Sequence, residues 1–289
     1  MANEVKTGSG GPIEALYANI VQSALYTLNE KTVIRPLVRN YDMSGTPGLV
    51  AQVPIYPSLS AAGVNDGDDL SNTPFATTSK TITASEVGVM VELTDLAAES
   101  ANEDVASAIG RQIGSAIAEK VDTDLAGLFS GFSRVVNKTS AALTVQDIFK
   151  AAATLKANKA DQNGAFVCVL HPYQAYDIKQ QLTNAGATMS HSLSDVGNTA
   201  LRDGFIGRIA GVDIFESTVV TGGDSAGAYY GAVMTQDALG YMVKRSMRIE
   251  TERNASKRSL EIVGSMAYGV SELFDQYGVA LVSDASALI

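Results

Sequence analysis

The 289-residue chain is 46% hydrophobic and 18% charged, enough apolar material for one elaborate domain or two smaller ones, and a disordered chain is excluded. Its formal charge of -10, with 21 Lys and Arg against 31 Asp and Glu, disfavours nonspecific nucleic-acid binding by the surface as a whole. No run of about 18 apolar residues occurs and Met1 to Gly10 is polar and Gly-rich, so a soluble protein without a membrane span or secretory signal is expected.

The first element is an amphipathic helix over Pro12 to Glu30. Ile13, Leu16, Tyr17, Ile20, Val21, Ala24, Leu25 and Leu28 recur at helical spacing, and Pro12 suits a first turn. Thr32 to Met43 reads as extended, with Pro36 placing it at a sheet edge. From Gly45 to Thr94 the pattern predicts a long two-stranded hairpin: a first strand around Val50, Val53 and Ile55, a Gly/Asp/Asn/Ser-rich tract from Ser58 to Thr73, and a second strand from Thr77 to Leu93. Such an arm has too few large apolar residues for a core of its own and needs another surface to lie on. Asp66, Asp68 and Asp69 at its tip lack the glycine and terminal glutamate of a calcium-binding EF-hand, so a solvated or inter-subunit tip is expected.

The strongest helical signal follows. Ser100 to Glu103 has the form of a capping box, and Val105, Ile109, Ile113, Ile117, Val121 and Leu125, closed by Leu128 and Phe129, form one stripe that Gly131 ends. At the standard rise this helix is roughly 45 Å long. Small residues at Ala106, Ser107, Gly110, Gly114, Ser115 and Ala118 leave it slim enough for close packing. Beyond Ser133 helices and strands alternate. Thr144 caps a helix bearing Val145, Ile148, Phe149, Ala152 and Leu155, then a strand runs from Ala165 to Leu170 and a helix from His171 to Leu182. After a Gly/Ser/Asn-rich loop from Thr183 to Asn198, strands are expected at Phe205–Phe215, Tyr230–Met242, Ser246–Arg253, Leu260–Val270 and Val279–Val282, with a turn at Gly222 to Gly227.

Candidate chemistry is sparse. Gly223 to Gly227 fits G-x-S-x-G around Ser225, but a β-rich segment follows where a hydrolase elbow needs a helix, and no histidine occurs after His191. Cys168, His171 and His191 are too few for a structural zinc site, and Cys168 reads as an inert core thiol. No phosphate-binding glycine motif is present, and no catalytic, metal or cofactor-binding residue is assigned. The cations of Lys244 to Arg258 (Lys244, Arg245, Arg248, Arg253, Lys257 and Arg258) read as the solvated side of a hairpin in preference to a nucleic-acid patch.

The order of elements carries a resemblance. Glu92 to Ala106 running to Leu128–Gly131, Phe166 to Tyr173, Ile206 to Phe215 and Gly264 to Leu273 together resemble the HK97-like major capsid proteins of tailed bacteriophages. The resemblance implies an α+β fold with an N-arm (1–43), an E-loop hairpin (44–93), a long P-domain spine helix (94–134), an α/β A-domain (135–243), P-domain β strands (244–276) and a C-terminal A-domain strand (277–289). It implies a non-enzymatic subunit, assembled in the bacterial host cytoplasm through hexamers and pentamers into an icosahedral shell around double-stranded DNA, with T=7 common in the family. Ile13, Leu16, Tyr17, Ile20, Asp66, Asp68 and Asp69 are the expected inter-subunit contacts, the N-arm and E-loop lying across neighbours. A separate scaffolding protein, a portal and a decoration protein are expected partners. Lys80 lies within a strand, so the covalent cross-link of some members is not expected. The rival readings are an encapsulin-type nanocompartment shell and, in a different class, a serine hydrolase using Ser225 and His171.

Overall fold

The computed structural model describes residues 12–56, 59, 61–67, 69, 72, 75–100, 105–138, 141–160, 164–188, 207–220, 222 and 228–284. The first half holds α1 (Pro12–Lys31), β1 (Arg39–Asp42), β2 (Val50–Ile55), β3 (Thr78–Thr83), β4 (Ser85–Thr94), α2 (Asp95–Ser100) and α3 (Val105–Gly127). The second half holds β5 (Val135–Lys138), α4 (Val145–Ala157), β6 (Phe166–Leu170), α5 (Pro172–Thr188), β7 (Arg208–Ile209) and β8 (Val212–Glu216). It closes with β9 (Ala228–Met234), β10 (Leu239–Asn254), β11 (Ser259–Glu272) and β12 (Gly278–Asp284).

One sheet has the order β1-β10-β11-β4, with β1 parallel to β10 and the other pairs antiparallel. Alternation along its strands turns one face apolar: Val87, Val89 and Val91, with Ile262 and Met266, and with Met247 and Ile249, meet the α3 stripe of Ile113, Ile117, Val121 and Leu125. Gly264 is what lets α3 sit so close, since a Cβ there would lie 2.3 Å from Ile113 Cγ2. On the helix side, α1 packs against α3 with its backbone nearly touching. A Cβ at Gly110 would stand 2.6 Å from the Ile20 carbonyl oxygen, and one at Gly114 would stand 2.3 Å from that of Ala24. The slimness legible in the sequence therefore serves α1 of the same chain, and Ile20, expected at an inter-subunit contact, is fully buried in the chain's own core.

Where α1 ends, the chain turns through a 3-10 turn at Arg35–Leu37. Asp122, nearly buried on α3, accepts hydrogen bonds from the N–H groups of Val33 (2.6 Å), Ile34 (3.3 Å) and Arg35 (3.3 Å), satisfying donors that this turn would otherwise bury unpaired. Burial pushes the Asp122 carboxyl up, and the three N–H groups and Arg35 pull it back. Pro36 thus sits in this turn, where its missing N–H is harmless, and not in the expected edge strand.

The second sheet has the order β5-β12-β9-β6-β8-β7. Ile148, Ala151, Ala152 and Leu155 of α4, with Ala175 and Ile178 of α5, cover Cys168, Leu170, Val233 and Leu281. Val169, Ala232, Met234 and Ala280 belong instead to the core around Phe129 and Phe132 at the end of α3. Thr144 opens α4 as expected, its N–H donating to Asp147 Oδ2 at 2.9 Å. Fully buried Gln174 ties α5 to the sheet: its Nε2 donates to Tyr229 O at 3.0 Å and Ser283 Oγ at 2.8 Å, and its Oε1 accepts from His171 N at 3.2 Å.

Several expected boundaries move. The strand expected from Thr77 to Leu93 breaks at Ala84, β3 staying with the arm and β4 joining the first sheet. Ser100 closes α2 in place of capping α3, its hydroxyl donating to Ala97 O at 3.1 Å, and residues 101–104 lie outside the described residues. Within the expected strand Phe205–Phe215, β7 and β8 form a hairpin turning at Ala210 and Gly211, both at positive φ, and Phe205 and Ile206 lie outside the described residues. Tyr230–Met242 divides where Ala238 N–H donates to Thr235 O at 3.1 Å, and the border expected between Val243 and Lys244 falls inside β10 at a pair of β-bulges.

Candidate assembly surface

The arm is built from β2 and β3, paired antiparallel from Val50↔Thr83 to Ile55↔Thr78. Its root is apolar: Val53, Ile82 and Ala84 pack with Met242 and Leu273 into a small cluster of their own. Ile82 fits over two glycines of the first sheet, a Cβ on Gly240 falling 3.0 Å from its Cδ1 and one on Gly269 falling 3.1 Å from its Cγ2. Among the described residues, other large apolar side chains on and beside the arm lie uncovered. Leu49, Val50, Tyr56, Leu59, Val64 and Phe75 are exposed, from 46% at Val64 to 62% at Tyr56 and Leu59. Tyr56 and Phe75 stack on each other with ring centroids 5.9 Å apart, an aromatic pair held ready on the surface.

Burying one large side chain of this kind is worth about 1.5–3 kcal/mol, so these exposed side chains favour association. The sequence pointed to the arm but selected its acids and not its apolar residues. Asp66 and Asp69 are exposed, and Asp68 lies outside the described residues. Of the N-terminal candidates, Ile13, Leu16 and Tyr17 lie on α1, and their side chains are outside the described residues. Two residues counted in the helical stripes, Leu25 of α1 and Phe149 of α4, are exposed, as are Tyr26 of α1 and Tyr176 of α5.

The basic stretch of the β10–β11 hairpin is largely neutralised within the chain. Arg253 grips Asp95 through two nitrogens at 2.5 and 2.6 Å, Arg248 pairs with Glu250 at 2.7 Å, Lys257 with Glu92 at 3.2 Å and Arg245 with Glu86. The Ser259 hydroxyl and Lys257 hold the Glu92 carboxyl below the usual range. These pairings favour the solvated-hairpin reading over a nucleic-acid patch.

His171 has a structural post. Its Nδ1 accepts the Tyr173 N–H at 3.2 Å at the start of α5, and its ring stacks on Tyr229 at 3.9 Å. Burial pulls its pKa below the ordinary 6.5. Ser225 and His191 lie outside the described residues. Cys168 is fully buried, and burial alone pushes its thiol far up, out of the reactive range. Among the described residues no three His, Cys, Asp or Glu side chains cluster as metal ligands, and no helix is long and apolar enough to cross a membrane.

A helix-backed sheet, a second layered α/β unit and a projecting arm together define an HK97-like capsid fold. The solved capsid of cyanophage P-SCSP1u is similar, with TM-score 0.69, 19% identity and 88% of this chain matched to 89% of that one. Mycobacterium phage Che8 gives 0.68, also at 19% identity, covering 86% and 90%. A virus-like particle from Pyrococcus furiosus gives 0.59 at 10% identity, covering 91% and 98%. No curated protein sequence matches. The phage capsid protein family model matches residues 77–282, well over half the chain, and the chain belongs to that family as a major capsid protein.

Proposed function

We propose that copies of this chain associate through hexamers and pentamers into a closed icosahedral shell around double-stranded DNA, with the arm as the E-loop that reaches between subunits. The observation that carries this reading is the uncovered apolar surface of the arm, with the stacked Tyr56 and Phe75 near its end. In the same reading residues 1–43 are the N-arm, 44–93 the E-loop, 94–134 the spine helix, 135–243 the A-domain, and 244–276 with 277–289 the returning P- and A-domain strands. The N-arm helix is packed on its own spine helix, so the bridging falls chiefly to the E-loop. Lys80 stands in β3 opposite Val53, away from the tip, and the proposed contacts are noncovalent. A T=7 geometry, assembly in the host cytoplasm, and a separate scaffolding protein, portal and decoration protein complete the proposal by family resemblance.

Negative-stain electron microscopy with size-exclusion chromatography tests it. Closed particles, or five- and sixfold capsomers, are the expected result; a uniform monomer at every concentration overturns it. The likeness to the Pyrococcus furiosus particle keeps an encapsulin-type shell as the second reading, which the particle's content decides: packaged DNA supports the phage capsid, and enzyme cargo the nanocompartment. The structural post of His171 argues against the serine hydrolase, and Ser225→Ala is expected to leave assembly intact.

A further inference from the structure

At the end of the arm one pair of residues carries chemistry of its own. Asp66 and Gly67 form a turn midway along the segment that joins β2 to β3, and both are exposed. Gly67 has a φ of 92°, a conformation that residues with a Cβ rarely adopt, and nothing stands within 4 Å of where a Cβ would project. The turn therefore demands the residue whose backbone nitrogen is least hindered. The chain itself holds that nitrogen within reach of the Asp66 carboxyl carbon, and a bond between the two closes a five-membered ring. Asp42, Asp95 and Asp122 differ on both counts: hydrogen bonds from Ser44, Arg253 and the Val33 N–H hold their carboxyls, and a residue with a side chain follows each. The other Asp–Gly pair of the sequence, Asp203–Gly204, lies outside the described residues.

We propose that Asp66–Gly67 is a site of spontaneous aspartate isomerisation. The Gly67 nitrogen attacks Asp66 Cγ; an N–C bond forms, the Cγ–OH bond breaks, and the hydroxyl leaves with the proton of the nitrogen as water, giving a cyclic imide. A second water then opens the imide. Its attack at Cγ breaks the new bond and restores aspartate. Its attack at the backbone carbonyl carbon of Asp66 breaks the original peptide bond and leaves an isoaspartyl linkage, with the main chain running through Cγ and the carboxylate on Cα. One water leaves and one enters, nothing is oxidised or reduced, and the charge is unchanged. The product has an extra carbon in its main chain, so the turn that ends the arm loses its shape. A poorer fit of the aged arm to a neighbour rests on the assembly reading above, whereas the modification is a property of the free chain.

The test follows free wild-type subunits at low concentration, held for several weeks at neutral pH in heavy-oxygen water. Samples are digested with an endoprotease that cuts before aspartate and not before isoaspartate, and the products are read by mass spectrometry with electron-transfer fragmentation. The expected result is a growing fraction left uncut at residue 66, carrying heavy oxygen and isoaspartate there. Gly67→Ala is expected to slow its growth by about tenfold, because the methyl crowds the attacking nitrogen. Asp66→Glu keeps the charge but has to close a six-membered ring, and no isomer is expected. Asp66→Asn closes the same five-membered ring with loss of ammonia and is expected to react faster than wild type. No isoaspartate at residue 66 of the wild type over this period, or an equal rate in Gly67→Ala, overturns the proposal. If aged chains enter shells as readily as fresh ones, the effect on fit fails and the modification stands. If the wild type forms no shells at all, the assembly reading fails and the result at residue 66 again stands.

Discussion

In the body of this chain the apolar residues of β4, β10 and β11 face α3, the glycines of α3 receive α1, and Asp122 and Gln174 close the buried polar groups between layers. In the arm Ile82 and Val53 are buried at the root, while Val50 of β2 and Leu49, Tyr56, Leu59, Val64 and Phe75 of the segments flanking β2 and β3 are exposed. The body's surfaces are matched within one chain, whereas the arm's are, in the proposed assembly, left for another to match. Substitutions in the body should therefore register as lost folding stability, and substitutions in the arm as lost association.

The largest effect is expected at the α1–α3 contact. Gly114→Leu drives a side chain into the Ala24 carbonyl and should cost about 3 kcal/mol or more, seen as a large drop in thermal midpoint or as failure to fold. Next is Asp122→Ala, which strands the N–H groups of Val33, Ile34 and Arg35 and should cost about 1–3 kcal/mol by chemical denaturation. Gln174→Leu belongs to the same class and size, because it leaves Tyr229 O and the Ser283 hydroxyl without their partner.

A smaller, pH-dependent effect is expected at His171. Burial lowers its pKa in the folded chain, so the unfolded chain takes up the proton first as pH falls. Its contribution is complete above the ordinary 6.5 and is lost as pH drops through that value toward the folded one. His171→Asn keeps a helix-capping oxygen and should remove this slope between pH 7 and 5, measured as the difference in thermal midpoint from wild type. If both proteins lose stability in parallel, the cap is not the source.

The contrast between body and arm also accounts for what was legible in the sequence. The α3 stripe from Val105 to Leu125 and the alternation of β10 and β11 repeat over many residues, so their inward faces were readable. Helix starts carried by local chemistry, such as Thr144 with Asp147, were readable too. The break at Ala84 was not, because β3 and β4 have one continuous strand pattern and part only by joining different sheets. Pro36 was assigned to an edge strand because its sequence neighbours do not reveal Asp122, 86 residues later, as the acceptor for the turn. At the candidate assembly surface, acids and a regular helical face drew attention, while Tyr56 and Phe75 sit in irregular segments without a period to mark them.

The smallest effect on folding and the largest on function are expected from the same change. Tyr56→Ser with Phe75→Ser removes the stacked pair from an exposed position, so the thermal midpoint should correspond to a stability within about 0.5 kcal/mol of wild type. Electron microscopy of this variant beside the wild type is the most direct test of the division between a self-sufficient body and a dependent arm. The expected result is closed shells from the wild-type chain and folded but unassembled subunits from the variant. Shells from the variant in undiminished yield, or a variant that unfolds, would contradict it.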